Sequence, residues 1–259
     1  MGKIFAIMSG KGGVGKSTVS AALAEYYARQ GQSTVLLDGD TGLRCADLML
    51  NVQDRVLYDL GDVAEKNCTV QQALVQADER LFLLAAPQLM KASDLKAKDV
   101  GRIITALAEE KDVVILDAPA GVGRGLKNLL GAAAEPVIVA TPDDVSVRDA
   151  EKLGALLNER DEPRPGIVFN RVSRKLIRRG EMTPPDRLAL ALDMPLLGIM
   201  PDCPSVYRAL LRHQRVLDCG DEAWTQAVTA LAKRLMGQEA PLPEYRPSAI
   251  LRFFHRGGD

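Results

Sequence analysis

Two lysines and three aspartates stand in this chain where a phosphoryl group could be held and attacked. Lys11 and Lys16 lie in the run Ser9-Gly10-Lys11-Gly12-Gly13-Val14-Gly15-Lys16-Ser17-Thr18, and Asp38-Gly39-Asp40 and Asp117 each close a short apolar stretch. From Gly10 to Ser17 the run fits the pattern GxxxxGK[ST]. Glycines in that pattern let consecutive backbone N–H groups, here from Gly12 to Thr18, turn toward the β- and γ-phosphates of a nucleotide. Lys16 reaches those phosphates, the Ser17 hydroxyl can ligate Mg²⁺, and the positive end of the helix starting near Ser17 adds its field. A carboxylate just past a buried strand is costly unless solvated, paired or metal-linked, so Asp117 reads as an acid holding Mg²⁺ through water. A turn-capping role is the alternative for any single acid. Three acids around one glycine loop favour the metal-and-water reading.

These residues need rigid elements to hold them, and the sequence supplies a regular alternation. Apolar, β-branched runs predict strands at Ile4–Met8, Thr34–Leu37, Leu81–Ala85, Val113–Leu116, Pro136–Ala140, Gly166–Phe169 and Leu196–Met200. Helical periodicity is clearest at Ser17–Gln30, Val100–Glu110, Ser146–Glu159 and Glu222–Met236. Strands buried on both faces, with helices as crossovers, give a single doubly wound α/β domain with a mostly parallel sheet and its ligand at the carboxyl ends of the strands. With 259 residues and 47% hydrophobic content, one core is enough. The expected boundaries are an ATPase domain over 1–237, a proline-rich flexible linker over 238–247, and a terminal segment over 248–259.

Composition excludes several classes. A net charge of −1 gives no global basic field for nucleic acid. Cys45, Cys68, Cys203 and Cys219 form no CxxC pair, which argues against a zinc or dithiol centre and suits a cytoplasmic protein. The first strand begins almost at once, leaving no room for a signal peptide, and no apolar run approaches the roughly 20 residues that span a bilayer. His213 and His255 are isolated and read as surface residues.

SGKGGVGKST, with its second lysine, resembles the deviant Walker A motif of the dimerising P-loop ATPases, a family that includes MinD, ParA, flagellar-number regulators, the nitrogenase iron protein and the iron–sulfur carrier Mrp. Asp38-Gly39-Asp40-Thr41-Gly42-Leu43-Arg44-Cys45-Ala46-Asp47-Leu48, Tyr58-Asp59, Asp117-Ala118-Pro119-Ala120-Gly121, Ser146-Val147-Arg148-Asp149 and Gly180-Glu181-Met182 are similar to the MinD branch. The resemblance covers nearly the whole chain and is most specific in the first 150 residues. It implies an ATPase using ATP and Mg²⁺, with Lys11 reaching across an ATP-dependent homodimer to the partner's phosphates while Lys16 serves its own subunit. It implies further that Asp40 positions the attacking water, that Asp38 and Asp117 surround Mg²⁺, and that Asn170, Pro201 and Asp202 recognise adenine. Cys203 departs from the acid often seen at that turn.

By the same resemblance, Arg148, Asp149 and Glu151 are candidate contacts for a MinC-like division inhibitor and a MinE-like stimulating or topology-setting partner. Locally, Ser146 with Asp149 three residues on also reads as a capping box.

The last twelve residues are amphipathic. At about 100° per residue from Ala249, Ile250, Leu251, Phe253 and Phe254 fall between roughly 40° and 200°, while Arg252, His255 and Arg256 fall between roughly 240° and 340°. Such a segment suits an in-plane helix on an anionic membrane surface, placing the protein at the cytoplasmic face of the inner membrane. One copy would bind weakly and two copies in a dimer well. A clasp folded back onto the domain is the competing reading.

The function expected is septum placement by recruiting a division inhibitor to the membrane. A flagellar-number regulator is the alternative. Arg171, Arg174, Lys175, Arg178 and Arg179 keep a second alternative open, a ParA-like partition ATPase binding non-specific DNA. No aromatics interleave these cations, and a solvated face also explains them.

Overall fold

The computed structural model describes residues 1–40, 44–88, 94–129, 134–160 and 162–243. In chain order the strands are β1 (Lys3–Met8), β2 (Thr34–Asp38), β3 (Val75–Asp78), β4 (Leu81–Leu84), β5 (Val113–Asp117), β6 (Glu135–Ala140), β7 (Gly166–Val172) and β8 (Leu196–Pro201). The helices are α1 (Lys16–Arg29), α2 (Ala46–Met49), α3 (Leu60–Glu65), α4 (Val70–Ala73), α5 (Ala97–Glu110), α6 (Arg124–Leu129), α7 (Asp144–Asn158), α8 (Arg174–Arg179), α9 (Pro185–Ala191), α10 (Pro204–Leu211) and α11 (Glu222–Leu235).

The strands form one sheet in the order β3-β4-β2-β5-β1-β6-β7-β8, parallel throughout except where β3 pairs antiparallel with β4. Alternate residues of each strand feed opposite faces. Phe5, Ile7, Leu36, Ile115 and Val139 join a core with α1 and α11, whereas Ile4, Ala6, Met8, Leu37 and Leu116 join another with α5 and α7. That is why the strands read as continuous apolar runs. α5 shows the matching helical stripe, burying Val100, Ile103, Ile104, Leu107 and Ala108 at helical spacing. β3, four residues with only Val75 buried, gives no such signal and is absent from the sequence reading.

The capping of α7 differs from the expectation. Asp143, not Ser146, is the N-cap, its carboxylate accepting from the Ser146 N–H at 3.0 Å. Ser146 lies inside the first turn, and its hydroxyl accepts from the Thr141 N–H at 2.9 Å. Asp143 is the stronger competitor because an ionised carboxylate meets the helix N-terminus there.

The start of the expected linker is held. The Arg234 guanidinium donates to the carbonyls of Leu197, Ala240 and Pro241 at 2.6, 2.8 and 2.6 Å. The segment 248–259, with Ile250, Leu251, Arg252, Phe253, Phe254 and Arg256, lies outside the described residues.

One buried acid sits far from the strand ends. Glu25 on α1 is 1% exposed, accepts from the Leu217 N–H at 3.4 Å and lies 3.8 Å from Arg29, and its other oxygen has no partner among the described residues. Burial pushes its carboxyl up to about 7, despite the nearby charges of Arg215 and Arg29. Its folded value lies above its unfolded one, so the native state binds the extra proton; this group's contribution to stability is fully present below about pH 4.5 and is lost as pH rises through about 7. Glu25→Gln is expected to raise Tm by roughly 2–5 °C at pH 8 and to leave it nearly unchanged at pH 4.5, measured by thermal unfolding.

Candidate active site

The glycine run leaves β1 and enters α1 through a loop with two left-handed residues, Gly13 at φ 81° and Gly15 at φ 91°. A side chain at Gly15 would be strained and would also meet Asn170 Nδ2 at 2.3 Å. Gly10 has a different reason. A Cβ there would lie 2.4 Å from the Asp149 carbonyl oxygen, so the loop passes directly against the backbone of α7. Gly12 and Gly13 face open space. These features, at the N-terminus of a 14-residue helix, make a cradle of N–H groups into which triphosphate oxygens fit.

Lys16 and Asp117 form the centre of the site. Lys16 Nζ lies 2.6 Å from Asp117 Oδ1, with the two side chains 6% and 2% exposed. Ser20 Oγ, one turn further along α1, lies 2.9 Å from the same oxygen and 3.0 Å from the Lys16 carbonyl. Ser17 Oγ is 3.4 Å from Lys16 Nζ, so the expected metal-binding hydroxyl shares this corner. Ser20 was missed by the motif, although its position four residues after Lys16 places it on the same helical face.

Asp38 and Asp117 are register partners on adjacent strands β2 and β5. The Asp38 carboxylate accepts N–H bonds from Asp40 at 3.0 Å and Ala46 at 3.1 Å. Burial foremost, then the Asp117 charge, raise its carboxyl, against those two hydrogen bonds and the charge of Lys16. A divalent cation would relieve the crowding of these two acids. Ser17, Asp38 and Asp117 thus fit Mg²⁺, the two acids acting through water. Asp40 is half-buried beside them, its N–H tied to Asp38 and its carbonyl accepting from the Arg44 N–H.

Lys11 is exposed, apart from the Lys16 cluster. Its charge is felt at Asp143, whose carboxyl would rise through burial but is held below the usual range by the Thr141 hydroxyl, the Ser146 N–H and Lys11. On α7, Arg148 and Glu151 are exposed. Asp149 is half-buried, 3.5 Å from Lys152, with its backbone against Gly10.

On the other side of the loop, Gly15 and Thr18 border a cleft of about 320 Å³ closed by Asn170, Arg171, Pro201, Asp202 and Trp224. The residues expected to read adenine therefore meet beside the phosphate cradle. Asn170 also does something the sequence did not disclose. Its Nδ2 donates to the Val14 carbonyl at 2.8 Å and its Oδ1 accepts from the Arg171 N–H at 2.9 Å, tying the end of β7 to the loop. Asn170→Asp replaces that donor with a carboxylate facing a carbonyl. It is expected to weaken nucleotide affinity by about tenfold or more, read by titration with a fluorescent ATP analogue.

Comparison with known proteins places this geometry. The family model described as ParA: NUBPL iron-transfer P-loop NTPase matches residues 1–235. The septum site-determining protein MinD of Bacillus subtilis is 35% identical over 247 residues, covering 93% of this chain and 92% of that protein. Among solved structures, the MinC:MinD cell division protein complex of Aquifex aeolicus superimposes with a TM-score of 0.86 at 28% identity, covering 94% of this chain and 99% of that one. MinD complexed with Mg-ADP from Pyrococcus horikoshii gives 0.81 at 26% identity, covering 91% and 96%. The chain belongs to the MinD family of septum site-determining ATPases, within the ParA-type P-loop NTPases.

Proposed function

We propose that this protein is an ATP-driven membrane switch that positions the division septum. With Mg·ATP two copies pair face to face, dock on the cytoplasmic face of the inner membrane through residues 248–259, and recruit a MinC-like inhibitor of septum assembly. Hydrolysis, stimulated by a MinE-like or equivalent partner, returns the protein to monomers. The observation that carries this reading is the division of labour between two lysines on one loop. Lys16 is buried on Asp117 of its own subunit, while Lys11 stands exposed at the loop's other end. A cation outside its own cluster supports the reading that it completes another subunit's site.

The reaction breaks the bond between the bridging oxygen and the γ-phosphorus as water attacks in line. The N–H groups from Gly12 to Thr18 and the ammonium of Lys16 bind the phosphates and neutralise charge on the leaving diphosphate. Asp40 accepts a hydrogen bond from the water and orients it. The partner subunit's own copy of Lys11 would face the charge spreading over the γ-oxygens, so turnover requires pairing. Mg²⁺, held by Ser17 and through water by Asp38 and Asp117, supplies further neutralisation when bound. The exposed residues Arg148 and Glu151 of α7 are the proposed inhibitor contacts; the relative from Aquifex aeolicus was solved as a complex with MinC.

Size-exclusion chromatography tests the switch. Asp40→Ala is expected to form a stable dimer with ATP and to lose turnover by about a hundredfold or more, since it keeps binding and removes water orientation. A monomer under both conditions would overturn the mechanism. Deleting residues 248–259 is expected to abolish ATP-dependent sedimentation with anionic vesicles while leaving nucleotide affinity intact.

A further inference from the structure

The cations of α8 face away from the fold. Ile177 is buried and Leu176 half-buried, and at about 100° per residue Arg174, Lys175, Arg178 and Arg179 share an arc of about 140° on the other side. All four are exposed, as is Arg171 just upstream. Between positions 171 and 187 the chain carries six basic residues and two acids, although its overall net charge is −1. The positive field is therefore local to this face. Among the described residues Lys175 and Arg178 have no ion-pair or hydrogen-bond partner, and Arg179 approaches Glu181 only at 3.9 Å.

The second observation is where the chain leaves the domain. A groove of about 760 Å³ is walled on one side by Ser173 and Arg174, at the start of α8, and on another by Pro241, Leu242 and Pro243. The Arg234 hydrogen bonds to Ala240 and Pro241 fasten that strand of chain to the domain. The described chain thus ends, at Pro243, beside the cationic arc. The last described residues and the arc of exposed cations share one side of the molecule.

We infer that the outer face of α8 is a second docking surface for anionic lipid headgroups, acting alongside the terminal segment; this rests on the membrane reading proposed above. The chemistry is long-range attraction between exposed ammonium and guanidinium groups and a plane of phosphate diesters, without insertion. It brings the domain down onto the surface, where the tail's aromatic residues can bury. A lipid plane is favoured over nucleic acid by this shared side and by the absence of any aromatic residue between 171 and 187 on which a base could stack.

The test uses the full chain with Mg·ATP and vesicles of phosphatidylglycerol and phosphatidylcholine. The double variant Lys175→Gln/Arg178→Gln is expected to bind them about tenfold or more weakly at low salt. That difference should shrink as ionic strength rises, and phosphatidylcholine vesicles alone should show none. Dimer size and ATP turnover, read on the same samples, should match the unsubstituted protein. Vesicle affinity equal to that protein's at every salt concentration overturns the inference. So does a variant that keeps vesicle affinity but loses binding to duplex DNA, which would assign the face to nucleic acid. Deletion of residues 248–259 separates this inference from the reading beneath it. If the deletion abolishes sedimentation and the double variant is unaffected, the tail reading stands and the α8 surface falls; if only the double variant weakens binding, the α8 surface stands and the tail reading falls.

Discussion

A buried ammonium against a buried carboxylate organises this molecule. Lys16 and Asp117 meet at 2.6 Å with almost no solvent access, each compensating the other's buried charge. Removing one partner of such a pair costs about 3–5 kcal/mol, because the other charge is left uncompensated. The requirement fixes α1 relative to β5. It also aligns Ser20, whose hydroxyl shares the Asp117 oxygen. A phosphate oxygen is a charge-assisted acceptor as a carboxylate is, so an anion at the glycine loop would compete with Asp117 for Lys16.

The sheet order explains why the acids converge. β1, which feeds the loop, lies between β5 and β6, and β2 lies beside β5. Parallel pairing then brings Asp38 level with Asp117 at the strand ends. Burial foremost, and then the charge of Asp117 beside it, raise the Asp38 carboxyl. The corner is under electrostatic tension that a bound divalent cation relieves. On the far side of the loop, β7 and β8 deliver Asn170, Pro201 and Asp202 to a separate cleft, so the acidic corner and this cleft are built by different halves of one sheet.

Much of this was legible in the chain. The seven long apolar runs became strands within a few residues of their expected ends, because burial on both faces leaves no alternation to misread. The glycine loop announced its backbone freedom, and Lys16, Ser17, Asp38, Asp40 and Asp117 lie together at one end of the sheet. What stayed hidden depended on tertiary contact. β3 carries too little apolar surface to register and owes its existence to pairing with β4. Ser146 resembles an N-cap until Asp143, three residues earlier, is seen to hold that place. Asn170 reads as a base contact, and only the fold reveals that it is also a strut to Val14. The anchoring of Ala240 and Pro241 by Arg234 lies in a stretch whose prolines suggested nothing but looseness.

The missing side chain at Gly10 has a mechanical meaning. With the Asp149 carbonyl closer than a methyl group would allow, there is no slack between the glycine loop and α7. Interiors packed this closely move as blocks instead of deforming smoothly. The helix that offers Arg148 and Glu151 to the outside and the glycine loop are therefore packed as one block. A displacement of the Asp149 backbone would have to be taken up by the loop at Gly10.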